Sequence, residues 1–238
     1  MVNKARCLKT AKLVAVKEIL TEKLSHSQRT HLKREIDILK FCDHPNLIKL
    51  LEVFELESKT YLVLELSEGG DLFDFLKRNQ SDISEEVIKR ILVQIANGIK
   101  YLHGFGIIHR DLKLENVVMS DLTDEATPKI VDFGFSMTIG PNQLLKEQLG
   151  TVGYVAPEIL QQKSYGKSCD VWSFGCMAYA LLCGALPFDY QTKERTMMET
   201  VKCNLDFELP GWKNRGLDPR NFCAFIIVKD PKKRPKIQ

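Results

Sequence analysis

The sequence predicts an α+β protein in which a small β-rich part precedes a larger helical part. Residues 1–66 contain short apolar runs bounded by polar turns, which is typical of strands. After Gly69-Gly70, apolar residues recur every three or four positions, which is typical of helices. The chain has 238 residues, more than one single-core domain usually holds, so we expect two lobes.

Four strands and one helix are predicted in the first part. CLKTAK at 7–12 and LVAVKEI at 13–19 look like two strands joined by a short polar turn. Residues 25–42 have the apolar spacing of a helix. Residues 47–66 predict a β-hairpin that turns at 57–59.

The second part is predicted to be mostly helical. Residues 71–79 and 84–104 indicate two helices, and Ser84 is a candidate N-cap because acidic residues follow it in the first turn. From Asp170 onward the pattern is again helical. Short strands are expected at three places between them: IIH (107–109), NVVM (116–119) and PKIVDFG (128–134).

Composition argues against several classes of partner. The chain carries 34 Lys and Arg against 31 Asp and Glu, which is too near neutral for nucleic acid or a membrane surface to be the main partner. Residues 171–188 are uncharged and approach the ~18 residues of a spanning helix. Gly184 and Pro187 would end such a helix early, so we expect a buried helix and no membrane partner.

The N-terminus scatters lysines and lacks the apolar core of a secretion signal. The seven cysteines include no CxxC pair, which favours neither a zinc site nor a disulfide framework. These features predict an intracellular, cytoplasmic protein, with the nucleus as the alternative location.

Four motifs stand in order along the chain: VAVK (14–17), HRDLKLEN (109–116), DFG (132–134) and APE (156–158). HRDLKLEN gathers charges beside apolar strands, and buried charges are costly unless they are paired or bind something charged. Each motif is weak alone. Together, in this order and at this spacing, they resemble the eukaryotic protein-kinase fold from Val2 to about Arg234.

The resemblance implies a bilobal kinase fold: a small β-rich N-lobe (1–66), a hinge (67–70) and a larger helical C-lobe (71–238). Val2 aligns with the valine that follows the family's glycine-rich loop, and no G-x-G-x-x-G occurs in the sequence. We therefore expect an incomplete N-lobe and, after KIQ, a missing final helix. A truncated sequence, a natural short form and a degenerate kinase are the alternatives; weak nucleotide binding and poor turnover are expected of residues 1–238.

The resemblance also assigns catalytic roles. Asp111 would orient the acceptor hydroxyl and take its proton, while Lys113 would lie near the γ-phosphate of ATP. Asn116 and Asp132 would supply the oxygen ligands that Mg²⁺ prefers. Thr151 would contact the catalytic Asp and Lys, and it indicates a serine or threonine acceptor rather than tyrosine.

Nucleotide-binding residues are implied in both lobes. Lys17 would reach the α- and β-phosphates, held there by Glu35, for which Glu18, Glu22 and Asp37 are the alternatives. The adenine would lie among apolar side chains, one of them a gatekeeper (Leu64), and would bond to the hinge backbone. These positions are Val2, Ala15, Leu64, Glu65, Ser67 and Val118.

Supporting residues match the family as well. Glu158 and Arg234 would form its buried ion pair, and Asp170 would brace the catalytic loop. Arg110 is expected to pair with a negative charge in the activation segment, which runs between DFG and APE. Glu147 stands where many relatives carry a phosphothreonine, so we interpret it as a built-in negative charge.

EGGDLFD (68–74) and GTVGYVAPEIL (150–160) resemble the calcium/calmodulin-dependent group, which includes calcium-dependent protein kinases. Glu115 and Asp71 match positions that recognise a basic residue upstream of the acceptor. The resemblance thus implies an ATP- and Mg²⁺-dependent serine/threonine kinase that acts on protein substrates. A calcium-sensing regulatory segment would lie outside this chain. The alternative function is a pseudokinase or scaffold that binds partners without transferring phosphate.

Overall fold

The computed structural model describes residues 2–79, 83–123 and 125–237. Within these ranges the strands are β1 (Val2–Arg6), β2 (Leu13–Leu20), β3 (Leu50–Glu55), β4 (Lys59–Glu65), β5 (Ile107–Ile108), β6 (Val117–Met119), β7 (Pro128–Ile130) and β8 (Met137–Thr138). The α-helices are α1 (His26–Phe41), α2 (Leu72–Asn79), α3 (Glu85–Gly104), α4 (Pro157–Leu160), α5 (Ser168–Cys183), α6 (Lys193–Lys202) and α7 (Leu217–Ile226). The order, a sheet followed by helices, confirms the α+β class.

The first part of the chain forms a four-stranded antiparallel sheet in the order β1-β2-β4-β3. In the register of the two central strands, Ala15 lies opposite Leu64 and Lys17 opposite Leu62. Val2 lies opposite Lys17 on the other side of β2. Because side chains on a strand alternate between faces, Ala15 and Lys17 emerge on the same face of the sheet.

The strand prediction for CLKTAK is wrong. The first strand ends at Arg6, and residues 7–12 make the turn that joins it to β2. The amide of Cys7 donates to the carbonyl of Lys12 at 2.8 Å, and the amide of Ala11 donates to the carbonyl of Cys7 at 2.8 Å. Ala11 has a φ of 57°, a left-handed conformation that ends an extended strand.

Helix α1 carries one face against the sheet. Ser25 caps it: the Ser25 hydroxyl accepts from the amide of Gln28, and the Gln28 side chain accepts from the amide of Ser25. The apolar spacing then buries Ile36 and Leu39 together with Glu35. The carboxylate of Glu35 is therefore placed beside the sheet.

The second part is built around α5. All residues of this helix from Cys169 to Cys183 are buried, and Gly184 ends it with a φ of 81°. The uncharged stretch at 171–188 is therefore the core helix that the sequence predicts. Helix α3 packs its predicted apolar stripe, including Ile91 and Ile95, into the same core. No helix within the described ranges is long and apolar enough to cross a membrane.

Two small antiparallel pairs of strands position the HRDLKLEN and DFG motifs between the sheet and the helices. Strand β6 pairs with β7, and β5 pairs with β8. The amide of Val131 donates to the carbonyl of Asn116 at 2.9 Å, so DFG begins beside the end of HRDLKLEN. Strand β8 and helix α4 were not predicted; they have two and four residues, too few to show a period.

Candidate active site

The loop that carries HRDLKLEN is held from behind by Asp170, in the first turn of α5. Its carboxylate accepts hydrogen bonds from the amides of His109 and Arg110, each at 2.9 Å, and from Nε2 of His103 at 2.9 Å. Burial alone would raise the pKa of Asp170, but the bond from His103 and the neighbouring donors leave it lowered. Arg110 is held at a φ of 71°, strained backbone of the kind that clusters at functional sites.

The predicted catalytic residues lie together. The hydroxyl of Thr151 donates to Oδ1 of Asp111 at 2.6 Å, and Nζ of Lys113 donates to that hydroxyl at 3.0 Å. The other carboxylate oxygen of Asp111 lies 3.1 Å from Nζ of Lys113 and accepts from Nδ2 of Asn116 at 3.1 Å. One carboxylate thus receives three side-chain donors from two separate segments.

The predicted partner of Lys17 is the one observed. Nζ of Lys17 lies 2.8 Å from Oε1 of Glu35 and 3.5 Å from Oδ1 of Asp132. Burial opposes the charge of this ammonium group, but the two carboxylates outweigh burial and raise its pKa. The lysine is therefore charged at neutral pH and lies where β2, α1 and DFG meet.

A cleft of about 390 Å³ lies between the sheet and the helical part. It brings together the predicted nucleotide and metal residues: Val2, Ala15, Lys17, Glu35, Leu64, Glu65, Ser67, Asn116, Val118 and Asp132. Four further lining residues were missed: Leu39, Ile48, Leu66 and Val131. They belong to four different segments, and no motif marks them. Asp111, Lys113 and Thr151 do not line the cleft but adjoin it through Asn116.

The residues of this cleft fit ATP and Mg²⁺. The buried hydroxyl of Ser67 has no hydrogen-bond partner within the described residues, so the wall offers an unused polar group beside apolar side chains. Asn116 directs Nδ2 toward Asp111, which leaves its amide oxygen as a metal ligand. The side chain of Asp132 is 52% exposed, so its carboxylate is accessible. Mg²⁺ characteristically takes one or two such ligands and completes its shell with phosphate and water.

The side chain of Glu65 is engaged with residues outside the cleft. Its carboxylate accepts from the amide of Lys49 at 2.8 Å and lies 3.0 Å from Nζ of Lys129. The side chain is therefore occupied by other partners. That the backbone of Glu65 and Ser67 makes the hinge hydrogen bonds to a bound adenine stays a prediction.

Arg110 meets the acid that the sequence indicates. Its guanidinium donates to Glu147 and also lies 3.4 Å from the hydroxyl of Tyr165, which in turn donates to the carbonyl of Glu147 at 2.9 Å. The hydrogen bond from Arg110 lowers the pKa of Glu147. Sequence reasoning missed Tyr165, because a tyrosine after APE carries no signal of contact with HRD.

The activation segment is anchored at its far end by a buried ion pair. Arg234 binds Glu158 through two nitrogen–oxygen contacts of 2.6 and 2.7 Å, as the sequence predicts. At its near end Phe133 is buried, with its ring edge-on to His109 at 5.3 Å between centroids. Both ends of the segment are thus packed against the helical part.

The two residues predicted to recognise a basic substrate side chain come near each other. Asp71 bridges Val118 through the backbone, which places it beside the strand that follows Glu115. Glu115 is exposed, whereas Asp71 is half-buried and accepts from the amide of Asp74 at 2.8 Å at the start of α2.

The chain is similar to known proteins over nearly its whole length. The protein kinase domain family matches residues 1–238. Calcium-dependent protein kinase 5 of Plasmodium berghei (strain Anka) is 40% identical over 233 residues, which cover 98% of this chain and 41% of that protein. Calcium-dependent protein kinase 5 of Plasmodium falciparum (isolate 3D7) is 39% identical over 237 residues, or 100% of this chain and 41% of that protein.

Myosin light chain kinase A of Dictyostelium discoideum is 37% identical over 225 residues, which cover 94% of this chain and 76% of that protein. The chain thus spans most of this relative and about two fifths of the length of the Plasmodium relatives. Neither the family match nor these relatives favour the alternative of a pseudokinase. The chain belongs to the protein kinase domain family, and its relatives are serine/threonine kinases of the calcium/calmodulin-dependent group.

Proposed function

We propose that this chain transfers the γ-phosphate of ATP to serine and threonine hydroxyls of protein substrates. The observation that carries the proposal is the hydrogen-bonded group of Asp111, Lys113 and Thr151, with distances of 2.6 and 3.0 Å to the Thr151 hydroxyl. In the adjoining cleft, Lys17 is charged and held by Glu35. An acceptor site and a phosphate site therefore adjoin each other, as phosphoryl transfer requires.

Each side chain has a distinct task in this reaction. The carboxylate of Asp111 accepts the hydrogen bond of the incoming hydroxyl, aims its oxygen at the γ-phosphate and takes its proton. In the structure Oδ1 of Asp111 accepts a hydrogen bond from the Thr151 hydroxyl, which supports this carboxylate as an acceptor for hydroxyl groups. Lys113 neutralises charge on the transferred group, and Lys17 neutralises the α- and β-phosphates. Mg²⁺ held by Asn116 and Asp132 would offset the remaining phosphate charge.

The test is Mg²⁺-dependent transfer of labelled phosphate from ATP to a peptide whose acceptor is serine, threonine or tyrosine. We expect transfer to serine and threonine, and a loss of roughly 10²- to 10⁴-fold in kcat for Asp111→Asn, the usual contribution of a positioned base. Asp37→Asn, on the exposed side of α1, is the matched control and should retain activity. Equal activity of Asp111→Asn and the control, in folded protein, would remove the proposal.

We propose further that a basic residue upstream of the acceptor is recognised by Glu115 and Asp71. The backbone bridge between Asp71 and Val118 places Asp71 beside the strand that begins two residues after Glu115. A peptide with an upstream arginine should have a lower KM than its alanine counterpart. In Glu115→Gln that advantage should shrink several-fold while kcat for the alanine peptide stays unchanged. An undiminished preference for arginine would assign recognition to other residues.

We also propose that calcium acts through a segment outside residues 1–238, in a cytoplasmic protein. The support is the printed names of two relatives, both calcium-dependent protein kinases of which this chain spans 41%. The phosphate-transfer rate of residues 1–238 should not respond to micromolar calcium, whereas the complete protein should. A calcium response of residues 1–238 alone would refute this part of the proposal.

A further inference from the structure

A second cleft, of about 860 Å³, lies beside the start of α5. Four segments enclose it: the end of α3, the activation segment near 139–144, the start of α5, and residues 231–237. It shares no lining residue with the nucleotide cleft. We call it the basic cleft because four lysines line it.

The basic cleft has an uneven charge. Four lysines line it, Lys100, Lys167, Lys232 and Lys236, and no aspartate or glutamate does. The chain as a whole is nearly balanced, with 34 basic and 31 acidic residues. The ion pairs found within the described residues use other lysines, so these four amino groups have no carboxylate within 4 Å there. A concave surface lined by one sign of charge concentrates the field that attracts an opposite charge.

The other basic side chains that line the cleft, Arg234 and His103, are already engaged. Arg234 is held by Glu158 and by the carbonyl of Ser168, and His103 is bonded to Asp170. Lys167 donates to the carbonyl of His103 at 2.6 Å, which fixes its amino group at the floor. The positive charge available to a ligand therefore rests on lysines from three separated parts of the chain.

The cleft also presents apolar surface among the lysines. Leu144 is 60% exposed at its rim, and Val171 and Ile237 contribute from the wall. An occupant that satisfied the whole surface would carry carboxylates around at least one apolar side chain. Such a combination of a charged rim and an apolar anchor is typical of protein recognition.

We propose that the basic cleft docks an acidic segment of a partner protein, in which aspartates or glutamates flank a leucine or phenylalanine. The concave shape favours a peptide over a membrane, since helices that bind membranes lay an exposed apolar face along the interface. The occupant would contact Lys167, three residues before the aspartate that holds the catalytic loop. Docking and the active site are therefore adjacent through the first turn of α5.

The test uses residues 1–238 and a fluorescent twelve-residue peptide with a central Leu-Phe flanked by glutamates. The variant K100E/K232E/K236E reverses three exposed lysines of the cleft. The control K9E/K193E/K213E reverses three exposed lysines elsewhere, so both variants have the same net charge. Lys167 stays unchanged because its bond to His103 supports the fold. Thermal unfolding checks that both variants remain folded.

We expect saturable binding that weakens at least about tenfold in the cleft variant and less than about twofold in the control, since three charge pairs are lost only in the former. Binding should also weaken as salt rises and should be lost with a peptide whose glutamates are glutamines. Equal weakening in both variants, or no binding, would overturn the proposal. So would binding of phosphatidylserine vesicles, but not the peptide, that is lost in the cleft variant. These readouts are independent of phosphate transfer.

Discussion

The sheet region (residues 2–66) and the helical region (71–237) hold their key charged groups in different ways. In the sheet region, Lys17 is 27% exposed at its side chain and depends on one close partner, Glu35, carried by a separate helix. In the helical region, Asp170 is 1% exposed and accepts three hydrogen bonds from one continuous core. Breaking the first contact frees one partly exposed lysine, whereas breaking the second leaves three donors buried.

The two halves of the site are therefore specified by different kinds of interaction. The acceptor side depends on burial and on a complete set of hydrogen bonds, so a substitution there should change stability and activity together. The phosphate side depends on an ion pair between buried Glu35 and partly exposed Lys17, so a substitution there should change activity more than stability. Four predictions follow this contrast from the largest effect to the smallest.

The largest effect is expected for Asp170→Ala. The variant leaves the amides of His109 and Arg110, and Nε2 of His103, buried without an acceptor. The free energy of unfolding should fall by about 4 kcal/mol, since each unsatisfied donor costs about 1–3 kcal/mol. Urea unfolding measures this. Asp37→Ala, on an exposed helix face, is the control, and a loss below about 1 kcal/mol for Asp170→Ala would contradict the rigid half of the comparison.

Glu35→Gln should affect activity more than stability. The amide cannot hold the ammonium group of Lys17 as the carboxylate does, so kcat/KM for ATP should fall about 100-fold, as it does when a binding group is displaced by about 1 Å. The free energy of unfolding should fall by about 1–2 kcal/mol, less than for Asp170→Ala, because Glu35 is 8% exposed but Lys17 is 27% exposed and keeps Asp132 at 3.5 Å. If urea unfolding shows a loss as large as that of Asp170→Ala, the ion pair belongs to the rigid half instead.

Glu147→Gln should have a smaller effect, because Glu147 is 56% exposed although Arg110 is 1% exposed. The variant keeps a hydrogen-bond acceptor but loses the charge, so kcat should fall about fivefold, equivalent to about 1 kcal/mol. Glu57→Gln, in the exposed β-hairpin turn, is the matched control. Unchanged kcat in Glu147→Gln would remove the interpretation of Glu147 as a built-in negative charge.

The smallest effect is a pH dependence of the same contact. Arg110 lowers the pKa of Glu147, so the contribution of Glu147 to stability is complete above its ordinary pKa of about 4.3 and is lost only as pH falls through the lowered value. The difference in unfolding free energy between wild type and Glu147→Gln should stay constant from pH 8 to about 5 and decrease below that. A difference that vanishes above pH 5.5 would show that Arg110 does not hold the carboxylate.

Much of the fold was predictable because its elements carry local signals. Helix α1 has both its cap, Ser25, and its period, and the β-hairpin of β3 and β4 has alternation and a polar turn. CLKTAK failed because Leu8 and Ala11 look apolar enough for a strand. In the structure the side chain of Leu8 is 98% exposed, and backbone hydrogen bonds close the segment into a turn.

Site residues that belong to the ordered sequence motifs were predictable, whereas residues that only tertiary packing brings to the site were not. Lys17, Asp111 and Asp132 belong to such motifs, and their contacts followed. Tyr165 and Val131 acquire their positions only through the packing of separate segments. The basic cleft had no signal either, because its lysines come from distant parts of a chain that is nearly neutral.

Arg234 affects the order in which parts of the protein can form their contacts during translation. This residue ties Glu158, 76 positions earlier, to the carbonyls of Ser168 and Val228. All four strands of the sheet have left the ribosome once Glu65 emerges. The ion pair of Glu158, in contrast, cannot form until Arg234 has been synthesised. At ordinary rates of translation this delay is roughly ten to thirty seconds. Glu158 itself waits only for the last 76 of these residues, roughly 4–15 seconds at the same rates, and until then its carboxylate remains in water without this partner.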